Sequence, residues 1–321
     1  MGWDRARRGR SGQRGHRAGP IRYAMPPTKP PTGAPGRRPK LLAVLLACAL
    51  LLACSTVKLA YNNLPGLGYW WLDGYLDLNA AQGPRLRDEL ADLLAWHRRN
   101  ELPHLTRLLG RAQAMAPLDL QPNDACALVE EIEARLLAVA RQAEPAAAEI
   151  ALSLDQTQLV QLERKYSEVN ATYRKDWLAL RPPARVGKRY QQFLERGEDF
   201  YGPLDEAQQE LLRRQVTQSV FNPEFVDVER RRRQQELLTV LRRLLAAPSS
   251  PPEARTALHD LVTGIAQPAP GPWREHRQLL QAEGCRDIAA LHNSTTAAQR
   301  ERAVRRLRAY EDDLRALADG G

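Results

Sequence analysis

Residues 154–173 read LDQTQLVQLERKYSEVNATY, and the spacing within this stretch decides the fold class. Leu159, Leu162, Tyr166, Val169 and Tyr173 recur at alternating intervals of three and four. At 3.6 residues per turn, that spacing lines one face of a helix with apolar side chains and leaves the rest polar. Asp155 stands where an N-cap belongs, because its short carboxylate can accept from the unpaired first-turn amides, worth about 1 kcal/mol. Leu154 before it can clip onto the first turn as a hydrophobic staple.

The same pattern extends in both directions. Leu128, Ile132, Leu136 and Val139 mark an earlier helix; Val304, Leu307, Tyr310, Leu314 and Leu317 mark a later one. Pro103, Pro122, Pro182, Pro183, Pro203, Pro223, Pro248, Pro251 and Pro252 punctuate the stretches between, as proline does at helix starts and breaks. No run of alternating apolar residues suggests a strand. The expected fold is all-α, a multi-helix bundle of roughly eight to ten helices.

A short repeat opens several of these stretches. Its copies are Leu78-Asn79-Ala80-Ala81-Gln82, Leu154-Asp155-Gln156-Thr157-Gln158 and Leu204-Asp205-Glu206-Ala207-Gln208, with Thr295-Thr296-Ala297-Ala298-Gln299 a looser fourth. The segments resemble the LTxxQ pattern of small periplasmic stress chaperones. Leu154, Gln158, Leu204 and Gln208 match, whereas Asp155 and Asp205 replace the Thr. Capped helices also converge on this pattern without sharing an activity, and the uneven spacing excludes a solenoid of fixed period.

The formal charge of +9 suggests nucleic acid, but its distribution does not. Residues 1–53 hold eleven Lys or Arg and one acid, which leaves 36 basic and 37 acidic residues, a net of −1, for the remainder. A nucleic-acid binder needs its basic surplus on the folded surface, so no nucleic-acid partner is expected. The surplus belongs to a leader. Residues 1–40 form a basic, Arg- and Gly-rich extension, and a start at Met25 gives a leader of more usual length. Residues 41–53, LLAVLLACALLLA, are an uncharged run behind Arg37, Arg38 and Lys40. Thirteen residues suit the apolar region of a secretory signal and fall short of the ~20 needed to span a bilayer.

The run ends Leu51-Leu52-Ala53-Cys54-Ser55, which resembles the bacterial lipobox at Leu51, Ala53 and Cys54. The resemblance implies cleavage between Ala53 and Cys54 and acyl chains on Cys54 that tether the protein to a membrane. Ser55 follows the anchor, and by resemblance to the sorting rule of enteric bacteria the absence of Asp there favours the outer membrane. Residues 54–82 then form an anchor and an aromatic segment with Tyr61, Tyr69, Trp70, Trp71 and Tyr75, suited either to a membrane interface or to capping the core. Residues 83–321 form the helical periplasmic domain.

Cys126 and Cys285 remain after export. In an oxidising compartment an even pair without metal-ligand spacing suggests a disulfide, and two buried thiols are the alternative. His97, His104, His259, His276 and His292 are scattered, with no HExxH. No phosphate loop or nucleophile elbow stands out. No catalytic residue, metal or cofactor is therefore assigned. Arg230, Arg231, Arg232 and Arg233 point around most of a helix, either as a solvated, ion-paired surface or as a contact for anionic lipid head groups.

Residues 54–78, CSTVKLAYNNLPGLGYWWLDGYLDL, together with Tyr190, the Tyr201-Gly202-Pro203-Leu204 turn and Gln208, resemble a family of uncharacterised proteobacterial lipoproteins. The expected protein is an outer-membrane lipoprotein whose helical body faces the periplasm and binds envelope protein partners. A membrane-tethered chaperone is the alternative.

Overall fold

The computed structural model describes residues 57–246 and 248–320. The expected leader, the expected cleavage between Ala53 and Cys54 and the expected acylation of Cys54 lie outside the described residues. Among the described residues the chain is all-α with no strand. After a helical turn at 57–62 come α1 (Leu64–Leu76), α2 (Gln82–Asn100), α3 (Leu102–Met115) and α4 (Pro122–Ser153). Then follow α5 (Gln156–Tyr173), α6 (Pro182–Tyr201), α7 (Glu206–Gln218) and α8 (Pro223–Ala246). The last three are α9 (Pro251–Ala266), α10 (Pro272–Asn293) and α11 (Ala297–Asp319).

The prolines do what their chemistry allows. Pro122, Pro182, Pro223, Pro251 and Pro272 are each the first residue of a helix, where the missing N–H would have had no partner. Pro145 is different: it lies inside the 32-residue α4, so one backbone bond is lost there while the flanking alanines carry the helix on. Asp77 ends α1 in the left-handed region at φ 50°, and its neighbour Leu78 donates its N–H back to Asp73 Oδ1 at 3.0 Å.

The repeat segments turn out to be joints. Asp155, Asp205 and Thr296 accept from the N–H of Gln158, Gln208 and Gln299. Asn79 Oδ1 accepts from the N–H groups of Ala81 and Gln82. Each glutamine side chain returns an acceptor to the capping residue's own N–H. These are reciprocal capping boxes.

The glutamines also pair across the fold. Gln82 Nε2 donates to Gln158 Oε1 at 3.1 Å and Gln158 Nε2 donates back at 2.8 Å. Gln208 and Gln299 do the same at 2.8 and 3.0 Å. A primary amide carries a donor and an acceptor side by side, so two of them close a two-bond ring. Each member of the first pair also reaches the end of the helix preceding its partner: Gln82 donates to Ser153 O at 2.6 Å, Gln158 to Leu76 O at 3.1 Å and Asp77 O at 3.0 Å. Likewise Gln208 donates to Ser294 O at 2.9 Å and Gln299 to Pro203 O at 3.0 Å. Two helical corners are thus locked back to back, once at α1–α2 with α4–α5 and once at α6–α7 with α10–α11.

Three apolar clusters sit around these joints. The largest joins α1, α2, α4, α5, α8 and α9 through residues such as Leu86, Ile150, Leu159, Leu162, Leu238 and Leu241. A second, small one holds Leu120, Ala125, Cys285 and Ala289, where Cys126 and Cys285 are joined in a disulfide with Cα atoms 5.3 Å apart. The third holds Tyr201, Leu204, Leu212 and Ala303. Among the described residues no helix is long and apolar enough to cross a membrane, and the disulfide is consistent with a domain outside the cytoplasm.

Candidate functional site

The largest cluster is incomplete on one side. Along α4, Ala143, Ala146, Ala147 and Ala151 follow intervals of three, four and eight from the first and so share one helix face. Methyl groups there leave space that the leucines opposite do not fill. The result is an open cleft of about 570 Å³ between α1, α2, α4, α5, α8 and α9. That volume lies within the ~300–1,000 Å³ of ordinary ligand sites. Leu90 and Leu93 of α2, Leu162 of α5, Leu241 of α8 and Leu258 of α9 wall it.

An aromatic ladder closes one flank. The Trp71 and Tyr75 rings lie 4.8 Å apart, and Tyr75 meets Tyr166 edge-on at 6.3 Å. Burial, with Tyr75 alongside, pushes the Tyr166 hydroxyl up to about 12, so it remains a neutral group at physiological pH. The polar part of the lining is Glu89, Asp92 and Gln142. Neither Glu89 nor Asp92 has an ion-pair partner among the described residues, whereas the next acid across, Glu149, is paired with Arg85. The cleft is an apolar trough with two uncompensated carboxylates on its rim.

Other residues singled out in the sequence are occupied elsewhere. The four arginines of α8 are each engaged with acids of their own helix. Arg230 lies 3.7 Å and Arg231 2.7 Å from Asp227, Arg232 and Arg233 each bind Glu229 at 2.7 Å, and Arg232 also binds Glu236. Arg230 further covers the Tyr173 ring at 4.3 Å. Hydrogen bonds from Arg232 and Arg233 hold the Glu229 carboxyl below its ordinary range. The run is thereby matched, nearly charge for charge, by three acids.

The histidines are separate structural fixtures. His292 is buried, with Nε2 2.8 Å from Leu118 O and Nδ1 2.9 Å from the Tyr201 hydroxyl. A carbonyl only accepts, so Nε2 carries the proton and Nδ1 accepts from the hydroxyl. Burial lowers its pKa, which keeps that neutral tautomer. His97 meets the Tyr61 hydroxyl at 2.8 Å and His259 meets the buried Glu144 at 3.0 Å. No group of three or more His, Cys, Asp or Glu among the described residues could hold a metal.

A model described as a family of unknown function, DUF6279, matches residues 74–263, more than half of the chain. The chain belongs to this family. The DUF6279 segment contains the cleft lining from Tyr75 to Leu258, with Trp71 and Leu72 just before it, and the first amide pair, Gln82 with Gln158. Gln299 and Cys285 lie beyond it. No curated protein and no solved structure matches the chain.

Sequence reasoning missed the cleft. The signal available was the Ala-rich stretch from Ala143 to Ala151, since a helix that buries small residues opposite leucines either approaches its neighbour closely or leaves room. It also placed the capping residues without showing that their glutamines meet.

Proposed function

We propose that this protein is an outer-membrane lipoprotein whose periplasm-facing helical body docks a polypeptide partner in the apolar cleft. The observation that carries the reading is the combination of an open, leucine-walled trough with Glu89 and Asp92 unpaired at its rim. An apolar segment entering it gains about 25 cal/mol per Å² of surface removed from water. A Lys or Arg beside that segment meets the two carboxylates, which sets orientation and rejects acidic competitors. The partner chemistry is therefore an apolar stretch with a basic flank. The anchor half of the reading rests on the basic leader, the thirteen-residue apolar run and Cys54, supported by a disulfide suited to an oxidising space.

The cleft is tested with a neutral apolar dye, N-phenyl-1-naphthylamine, displaced by two synthetic Leu/Ala peptides that differ only in Lys or Glu flanks. The Lys-flanked peptide is expected to displace the dye at a concentration at least ~10-fold lower, the equivalent of about 1.4 kcal/mol. Ala147→Trp, which fills the trough, is expected to abolish dye binding. Dye binding unaffected by Ala147→Trp rejects the cleft as the site, and equal displacement by both peptides rejects the role of the rim acids. The anchor is tested separately: labelled palmitate is expected to enter the wild-type chain and not Cys54→Ala.

The same trough favours a second reading, a tethered chaperone that shields apolar segments of unfolded clients. It requires the purified domain to suppress client aggregation at stoichiometric levels irrespective of flanking charge.

A further inference from the structure

The aromatic segment divides by residue type. Tyr69, Leu72, Tyr75 and Leu76 turn inward onto the main cluster. Leu67 and Trp70 stand at i and i+3 on the far side, flanked by Leu64 and by Trp71, whose ring sits at the edge where it also meets Tyr75. They are unusually bare: Trp70 is 79% exposed, Trp71 62%, Leu67 56% and Leu64 46%, with Leu59 at 65% in the turn before.

No charged side chain stands among the exposed positions of residues 57–76, which are Val, Leu, Ala, Asn, Gly and Trp. The two charged residues in the segment are tied back. Lys58 lies 3.7 Å from Asp313 of α11, and Asp73 accepts from Leu78 N. The neighbouring helix behaves differently, since α2 presents Arg85, Arg87 and Asp88 to solvent. A helix that keeps its charges off an outward face carrying two tryptophans is not shaped for water.

The covalent chain names the occupant. Three residue steps separate Cys54 from Val57, a reach of at most about 11 Å at ~3.6 Å per residue. With acyl chains on Cys54, the start of this segment lies at the lipid headgroups. We infer that the outward face of residues 57–76, led by Leu67, Trp70 and Trp71, lies on the bilayer surface and seats the helical body against it. The indole suits that position, with an apolar ring for the acyl boundary and an N–H for the wet side. The inference rests on the lipoprotein reading above and adds an orientation to it. Because Trp71 also lines the cleft, the docking trough then opens close to the membrane.

The test uses the full acylated chain in phosphatidylcholine vesicles whose acyl chains are brominated at carbons 6 and 7. Five tryptophans follow Cys54: Trp70, Trp71, Trp96, Trp177 and Trp273. Bromine quenches only rings at membrane depth, so the wild type is expected to lose up to about two-fifths of its emission relative to unbrominated vesicles. Trp70→Phe/Trp71→Phe, a conservative change at exposed positions, is expected to lose almost none. Protein that floats with the vesicles but shows no bromine quenching, or an equal fractional loss in the double variant, overturns the inference and leaves the anchor standing. Protein that fails to float with vesicles overturns the anchor and the inference together. If the face instead seats a protein partner, lipid-only vesicles give the floated, unquenched result.

Discussion

Replacing Cys126 and Cys285 together by Ala is expected to lower the free energy of unfolding by up to about 5 kcal/mol. The closed loop has a sequence separation of 159, and at that length the chain-entropy model gives its larger values. The local setting argues the same way. The cluster around the bridge consists of little more than Leu120, Ala125 and Ala289, too small an apolar patch to hold the start of α4 on α10 unaided. Cys285 is only 2% exposed, so a mild reductant added to the native protein is expected to act slowly; the double Ala variant isolates the effect. In urea, the midpoint should fall and the slope should steepen, because the unlinked chain exposes more surface when it unfolds. Coincident curves for the variant and the oxidised wild type would show that the bridge constrains nothing.

What the sequence made legible was local. The periodic stretches at 128–139, 159–173 and 304–317 lie in α4, α5 and α11, because a 3.6-residue apolar rhythm has few other stable uses. The capping residues Asp155, Asp205 and Thr296 stand where the side-chain chemistry requires. Eleven helices of seven or more residues are present among those described. The one-residue passage from α2 to α3, with Glu101 still in the helical region, and the continuation of α4 through Pro145 are features that punctuation alone does not fix. Non-local pairing was harder to read. Gln82 and Gln158 are 76 residues apart, Gln208 and Gln299 91, and nothing in a five-residue motif says which copy faces which. The cleft depends on six helices at once, so it belongs to packing rather than to any one segment. The aromatic stretch is intermediate: Tyr69, Leu72 and Leu76 keep helical spacing that marks an inward face, but Trp and Tyr serve cores and interfaces equally well.

The first amide pair should be the most sensitive polar position in the chain. Gln158 is 4% exposed, and its Nε2 lies within reach of Leu76 O, Asp77 O and Gln82 Oε1 while its Oε1 accepts from Asp155 N and Gln82 Nε2. Gln158→Met keeps the bulk and removes every one of these contacts. The Leu76 and Asp77 carbonyls and the Asp155 N–H then lose their side-chain partner, and Gln82 keeps Ser153 O and Asn79 N but loses both ring bonds; each group left unpaired costs about 1–3 kcal/mol. A total loss of about 3–5 kcal/mol is expected, against a few tenths for Gln156→Met on the exposed side of the same turn. Adding Gln82→Met should cost less than a second full loss, because the partner it strands is already gone. Gln158→Glu gives the same logic a pH signature. A neutral carboxyl can close the two-bond ring with Gln82, whereas a buried carboxylate faces carbonyl oxygens, so the folded-state pKa of the new group lies above its unfolded value of ~4.3. Its stabilising contribution is then present below that unfolded value and disappears as pH rises through the folded one. Urea midpoints at pH 4 and pH 7.5 should show the variant approaching wild type in acid and falling away near neutrality. Equal deficits at both pH values, or a Gln158→Met variant no weaker than Gln156→Met, would mean that the joint is not what locks α1–α2 to α4–α5.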